Sequence, residues 1–203
     1  MLAVWALLLC RHSGQDEVVI GAPHDGRNVP GTQQLVGYFV NVLALRIDMP
    51  KGCPITRVLS TARDVTVDGM RHGALHFQQV VLELLPRRVH DASRNAVFQT
   101  MLAWAPEGGW MAGQSDTMGA GIEISPVQLR SALPVAKFEV TYHAHKTVGG
   151  GVDGSIEFNT DLFERGSIER LAARLVVLAA ALVGAPAEAD VWSLPLMLSL
   201  IHI

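Results

Sequence analysis

Several residues in this chain have the types and spacings that chemistry uses. His72 and His76 stand four apart, the spacing at which two imidazoles on one helical face share a zinc ion. Gly73 between them weakens a helix, no Glu follows His72 in the metalloprotease manner, and no third ligand lies close in sequence, so no metal requirement is expected. His143 and His145 fall on one face of a strand pattern, where imidazoles are expected to meet solvent or pair across a hairpin. Gly149-x-Gly151-x-x-Gly154 matches the dinucleotide fingerprint letter for letter. That chemistry needs a helix N-terminus after the last glycine to face the pyrophosphate. Here Ser155 to Phe158 reads as a strand, so the glycines are expected to form a hairpin turn. No Gly-x-Ser-x-Gly elbow and no convincing Cys–His pairing occurs. Cys10 and Cys53 lack metal or redox spacing and read as reduced, intracellular thiols. One polar residue remains. Asn41 sits at the mouth of the apolar run Val42 to Ile47, and a buried amide there must find partners. It either ties down a neighbouring loop or faces a substrate channel.

The elements that must position these residues follow from the pattern. Met1 to Cys10 imitates a signal peptide but has no basic n-region and no cleavage site after it, and it is too short to span a bilayer. It is read as a buried helix running to the Ser13-Gly14 break, and the opening Met as an internal residue of a longer chain. Glu17 to Gly21 is a β-branched strand, and Ala22 to Gln34, rich in Gly, Pro, Asn and Asp, is a loop. Val42 to Ile47 is expected to be a strand buried on both faces. Pro54 opens a helix whose inner face carries Ile55, Val58, Leu59, Ala62, Val65 and Gly69, and which ends near His72-Gly73. A second helix, 77–85, stops before Pro86. Strands are expected over 96–104, 135–146 and 152–158, with 106–121 irregular. The last helix, 167–183, carries the stripe Ile168, Leu171, Leu175, Leu178 and Leu182. Arg170 and Arg174 interrupt it, so it is read as core and not as a membrane span. With 49% apolar residues the chain can bury a core, and with a net charge of -3 and no basic block it offers nothing for nucleic acid. Alternating strands and amphipathic helices without a repeat predict an α/β layered domain with a mixed sheet.

One stretch ties this pattern to a known family. Val36 to Arg46, Val-Gly-Tyr-Phe-Val-Asn-Val-Leu-Ala-Leu-Arg, resembles the Gly-x-Phe-Val-Asn-Thr motif of the condensation domains of non-ribosomal peptide synthetases. Further segments agree in order. Ala6 to Gln15 resembles the family's helix ending in a Tyr-Ser-Gly-Gln-like turn. Val19-Ile20-Gly21 with Gly26-Arg27 is similar to Val-Gly-x-Pro-x-x-Gly-Arg. His72 to Gln78 resembles His-Gln-Asp-x-Pro-Phe-Glu, with Gly73 and Ala74 in place of the amide and acid and His76 in place of proline. Asp91 to Gln99 resembles Arg-Asp-x-Ser-Arg-Asn-Pro-Leu-Phe-Gln, with His90 for Arg and Ala96 for proline. Lys137-Phe138 and Glu157 to Phe163 look like the family's Lys-Phe-Asp strand and Tyr-Asn-Thr-Asp-Leu-Phe turn. The resemblance covers about residues 2 to 183.

The resemblance implies a chloramphenicol-acetyltransferase-like two-layer sandwich, of which residues 1–184 are the C-terminal subdomain. Residues 185–203 are expected to be a linker and a non-native tail, of which Trp192 to Ile203 does not pack on the core, since Leu198 to Ile203 looks like sequencing-adapter read-through. The implied chemistry is amide formation between two carrier-bound substrates. The catalytic motif His-His-x-x-x-Asp-Gly does not occur in this sequence, and His24-Asp25-Gly26 is a false echo of it. No catalytic residue is therefore assigned within the chain. Asn41 is the expected substrate-channel residue, and Asp91 and Arg94 are expected to be a structural pair. No cofactor or metal is bound directly. The implied partners are the phosphopantetheine arms of upstream and downstream peptidyl carrier domains and the N-terminal lobe of the same condensation domain, with no nucleic acid and no membrane, in the cytoplasm. Two alternatives stay open: a non-catalytic carrier-binding or scaffolding lobe, and an epimerisation domain of the same fold. Phe39 to Asn41 argues against the second.

Overall fold

The computed structural model describes residues 1–27, 29–85, 94–105, 135–147 and 149–197. Its elements are α1 (Leu2–Ser13), β1 (Glu17–His24), β2 (Asn41–Asp48), α2 (Ile55–Arg71), α3 (Phe77–Leu84), β3 (Thr100–Ala105), β4 (Val140–Lys146), β5 (Val152–Phe158) and α4 (Arg165–Gly184). The five strands form one mixed sheet in the order β2-β1-β3-β4-β5. β1 and β3 are parallel, as are β3 and β4, while β2 and β5 close the two edges as antiparallel partners of β1 and β4.

α1, α2 and α4 lie on one face of this sheet and share its core. α1 has no polar face through its first three turns, and Ala3 to Leu8 and Cys10 are all buried. A helix that is apolar all round must be enclosed. The sheet covers one side of it: Trp5 donates from Nε1 to Thr100 Oγ1 at 3.2 Å and its ring meets Tyr142 at 5.3 Å between centroids. α2 and α4 close the flanks. Gly14 ends the helix at φ 74°, a conformation that favours glycine, with its N–H on the Cys10 carbonyl. α4 presents Ile168, Leu175, Leu178 and Leu182 to this core, with Leu171 partly buried beside them. Among the described residues no helix is long and apolar enough to cross a membrane.

The element types follow the sequence pattern, and the departures have local causes. β2 is buried on one face only. Asn41, Leu43, Leu45 and Ile47 face the helices, whereas Val42 and Ala44 are half-buried and Arg46 and Asp48 exposed. The expectation of burial on both faces is corrected because β2 is an edge strand in an antiparallel pair. β1 runs on past Gly21 to His24, because Gly21 continues the ladder opposite Ala44. There the absence of a side chain admits the Phe98 ring, 2.3 Å from where a Cβ would stand. Phe98 in turn packs on Phe77 and Phe138 at 5.3 and 5.5 Å. On α2, Ile55, Val58 and Ala62 are buried as the stripe requires, but Leu59 is exposed. Gly69 lets that helix close onto Leu45 and Leu43. β3 and β4 begin at Thr100 and Val140, later than the sequence pattern suggests. Residues 106–121 lie outside the described residues.

The largest correction concerns the C-terminal segment. Residues 185–197 are not a free tail but a strap over the core. Ile55 and Thr56 donate their N–H groups to the Ala189 and Ala187 carbonyls, both at 3.1 Å, and Val191 donates to the Cys53 carbonyl at 3.0 Å. Trp192 Nε1 donates to the Met49 carbonyl at 3.0 Å, and the Arg11 guanidinium donates to the Leu194 carbonyl. Val191 and Leu194, three apart across a 3-10 turn, are buried. The strap showed no helical or strand period because its apolar groups insert one by one between backbone bonds. Leu198 to Ile203 lies outside the described residues.

Two outcomes follow for solution measurements. Leu194→Ala should lower the unfolding free energy by about 2–5 kcal/mol, the usual range for truncating a buried leucine; an unchanged urea midpoint would show that the strap does not pack. Burial, reinforced by Asp16 and Glu17, pushes the Cys10 thiol up to about 11. A group whose folded pKa is raised stabilises the fold fully below its unfolded value and loses that contribution as pH rises. Stability should therefore fall between about pH 9 and 11, and Cys10→Ala should flatten that part of the profile.

Candidate functional site

β1 ends and β2 begins side by side, with His24 opposite Asn41 in the register. Asn41 is 8% exposed. Its Nδ2 donates to the Gly73 carbonyl at 2.9 Å and the Leu75 carbonyl at 2.8 Å, and its Oδ1 accepts from the Phe77 N–H at 3.2 Å. Both donors and an acceptor site of the amide are thus engaged. The partners explain why an amide is needed. Phe77 is the first residue of α3, where the N–H has no intrahelical acceptor. The residue before it, His76, makes no side-chain cap bond, so Asn41 supplies the cap from another strand. Asn41 therefore ties down residues 72–76. The segment between α2 and α3 is otherwise held by its own turns, Gly73 N–H to the Met70 carbonyl and Leu75 N–H to the His72 carbonyl.

A second pinned loop, of which 25–27 and 29–40 are described, borders the same mouth. Gly26 lies at φ 66°, and a Cβ on it would stand 2.0 Å from the Phe39 carbonyl oxygen, so only glycine lets the two chain segments cross. The Arg27 guanidinium gathers the loop. It donates to the Thr32 carbonyl, to the Leu35 carbonyl at 2.9 Å and to the Gly37 carbonyl at 3.4 Å, and it sits 4.4 Å from the Phe39 ring centroid. Leu35, Val36 and Tyr38 then point outward, Val36 and Tyr38 almost fully exposed. The Gly26-Arg27 pair was visible in the sequence as a family-like segment, but its reach to a carbonyl 10 residues further on was not legible there.

The remaining candidates separate. His72 closes α2 and His76 precedes α3, so the two imidazoles are not on one helical face. His143 Nε2 is 3.9 Å from Glu157 Oε2 across the β4–β5 hairpin, at a half-exposed position. The Gly149–Gly154 glycines form that hairpin: Gly150 turns the chain at φ 83°, its N–H on the Thr147 carbonyl, and Gly154 pairs with Ala144 inside β5. Arg94 Nε reaches Glu139 Oε1 at 2.7 Å, while Asp91 lies outside the described residues. Cys10 and Cys53 are buried free thiols, both shifted upward chiefly by burial. The described residues bring together a braced mouth, not an acid–base pair.

Comparison with known proteins decides the family. The model of the Condensation domain matches residues 1–193. The chain belongs to the condensation-domain family of non-ribosomal peptide synthetases. Malpinin synthetase of Mortierella alpina is 37% identical over 84% of the chain, and a linear gramicidin synthase of Brevibacillus parabrevis is 34% identical over 94% of it. The chain spans about 2% of the length of each of these relatives. Among solved structures, a four-domain nonribosomal peptide synthetase bound to AMP and glycine superposes with a TM-score of 0.79 at 22% identity, over 96% of this chain and 15% of that one. The first condensation domain of the CDA synthetase gives 0.71 at 20% identity, over 96% of this chain and 40% of that one. The X-domain in complex with OxyB from teicoplanin biosynthesis gives 0.75 at 19% identity, over 97% and 42%. The fold is the chloramphenicol-acetyltransferase-like fold of condensation domains, here with its five-stranded mixed sheet. Amide-bond formation is the general function of that family.

The bracing role of Asn41 has a measurable signature. Asn41→Ala leaves two carbonyls and one N–H unmet and should cost about 1–3 kcal/mol. Asn41→Asp keeps the acceptor but sets a carboxylate against two carbonyls, which raises its folded pKa. That variant should be less stable than Asn41→Ala at pH 7 and should recover as pH falls and the carboxyl becomes a donor. Urea titrations at pH 5 and 7 check it; equal stability of wild type and both variants would show that the amide is not bracing the loop.

Proposed function

We propose that these residues form the C-terminal lobe of a condensation domain and one wall of the tunnel in which two carrier-tethered substrates meet. The observation that carries the reading is the family match through residues 1–193 in a sequence without the His-His-x-x-x-Asp-Gly motif. The length ratio supports it, since the chain corresponds to 40% of a solved condensation domain. The N-terminal lobe then contributes the histidines. The acceptor amine attacks the donor thioester carbonyl, the C–N bond forms, the C–S bond breaks, and a histidine of that lobe positions the amine or moves its proton toward the departing thiolate. The phosphopantetheine arms belong to upstream and downstream peptidyl carrier domains in the cytoplasm, and this lobe binds no cofactor of its own. Asn41 acts as a positioning residue: it fixes the turn 72–76 beside the mouth and so shapes the channel wall without spending its amide on substrate. The outward Leu35, Val36 and Tyr38 suit a surface that the other lobe covers.

A second reading has one observation in its favour. A fold neighbour of this chain is named in a complex with another protein, OxyB. A lobe of this fold that binds a partner without doing chemistry is the corresponding alternative here.

By itself the chain should form no amide bond above background, because general acid–base assistance worth roughly 10²–10⁴-fold is missing. It should also self-associate through its exposed apolar loop. Supplying a matching N-terminal lobe should first return it to a monomeric complex and then give turnover. The assay uses carrier proteins loaded with donor and acceptor and reads the mass of the peptidyl product. Product from the chain alone would overturn the placement of the chemistry, and a stable complex without product would favour the binding lobe.

A further inference from the structure

The helix layer stops short of the sheet end at which β1 and β3 finish. α1 starts there and α2 ends there, and beside them lies a cavity of about 280 Å³. Leu43, Leu45 and Leu102 form its floor, Met70 and Trp104 its rim, Met1 and Leu2 close one side, and His24 is the one ionisable side chain among its lining residues. In open α/β sheets, ligands enter at the carboxyl ends of parallel strands, where the chain leaves to opposite sides. The carboxyl ends of the parallel pair β1 and β3 meet at this cavity, with β2 beginning beside β1.

His24 is placed by a residue that lacks a side chain. It is 10% exposed, and a Cβ at Gly73 would stand 2.7 Å from its Cδ2 and 2.9 Å from its Nε2. Gly73 occupies the position at which the resembled motif has an amide side chain. The imidazole therefore uses room that such a side chain would take, and it does so next to Asn41, which holds the Gly73 carbonyl.

We propose that this cavity is a subsite for one apolar side chain of a tethered aminoacyl substrate, of leucine class, with His24 setting its depth. The proposal rests on the condensation-lobe reading. Size and lining support it. An apolar cavity of ~150 Å³ holds a benzene ring and drug-sized ligands use at least ~300 Å³, so this volume has room for one aliphatic side chain of leucine size. An apolar floor of three leucines disfavours charged side chains through the cost of desolvation. Trp104 is 45% exposed at the rim and can close over an aliphatic group.

The test titrates the 203-residue chain with the amides of N-acetyl-leucine, N-acetyl-glycine and N-acetyl-aspartate, read by backbone and indole NMR shifts. The leucine amide should bind at least about tenfold more tightly than the glycine amide, as methylene discrimination in apolar pockets allows. The aspartate amide should gain nothing over glycine, and shifts should centre on residues 22–24, Met70 and 102–104. Met70→Trp, a change at a half-exposed rim position, should abolish the preference without lowering the melting temperature. His24→Ala should move the preference from leucine toward phenylalanine. Equal binding of the leucine and glycine amides, or a preference that survives Met70→Trp, overturns the subsite. The two readings fail separately. A leucine preference without product in the two-lobe assay leaves a leucine-selective cavity but removes the lobe reading and with it the tethered substrate, while product without any leucine preference keeps the lobe reading and removes the subsite.

Discussion

A helix with no polar face sets the plan of this molecule. From Ala3 to Leu8 every side chain of α1 is buried, so the chain must supply a cover on each side of it. The sheet is one cover, with Trp5 held against Thr100 and Tyr142. α2 and α4 are two more, and the strap through Val191 and Leu194 closes the rest. This explains why α1, α2 and α4 sit on a single face, and why Val191 and Leu194 of the strap are as buried as the side chains of α1. It also explains where the layer ends. Beyond the first turn of α1 nothing forces a further cover, and there the sheet end lies open beside His24 and Trp104.

At that open end the problem changes from apolar burial to polar satisfaction. α2 finishes and α3 starts within a few residues, which leaves carbonyls and N–H groups without helical partners. Asn41 meets three of them from the first position of β2. One side chain thus ties the first position of β2 to the turn 72–76 and the start of α3. Arg27 does similar work for residues 32–39, through carbonyls and the Phe39 face. Two polar side chains therefore hold two loops at one mouth, which is the arrangement a substrate wall requires: irregular backbone kept in one conformation.

The layers were legible in the sequence because period and punctuation agree. α4 was marked by its leucine stripe, the β4–β5 hairpin by three glycines, and the end of α1 by Gly14. What misled was composition without partners. The run Val42 to Ile47 looks buried on both faces because Val42 and Ala44 are apolar, yet only strand order reveals an edge. Residues 191–197 look like a loose tail because no period links Val191, Trp192 and Leu194, and their hydrogen-bond partners lie near residues 49–56 and at Arg11. The site was half legible. Asn41 stood out as a polar residue in an apolar run, but which of its two roles it plays depends on Gly73, Leu75 and Phe77, more than thirty residues away.

The departures at 73 and 76 from the resembled motif are the residues on which this mouth differs, and the structure gives each a physical setting. Removing an amide side chain at 73 costs the turn little, because Asn41 holds the Gly73 carbonyl and not a side chain there. Replacing proline at 76 frees an N–H before α3 but leaves the cap intact, because the cap comes from Asn41 and not from residue 76. A bracing residue that grips backbone lets side chains around it vary without loss of the turn. That freedom is what His24 exploits, since its ring occupies space a side chain at 73 would fill. The mouth therefore separates two tasks. Backbone geometry is kept by Asn41 and Arg27, and the shape of the lining is set by His24, Gly73 and Met70.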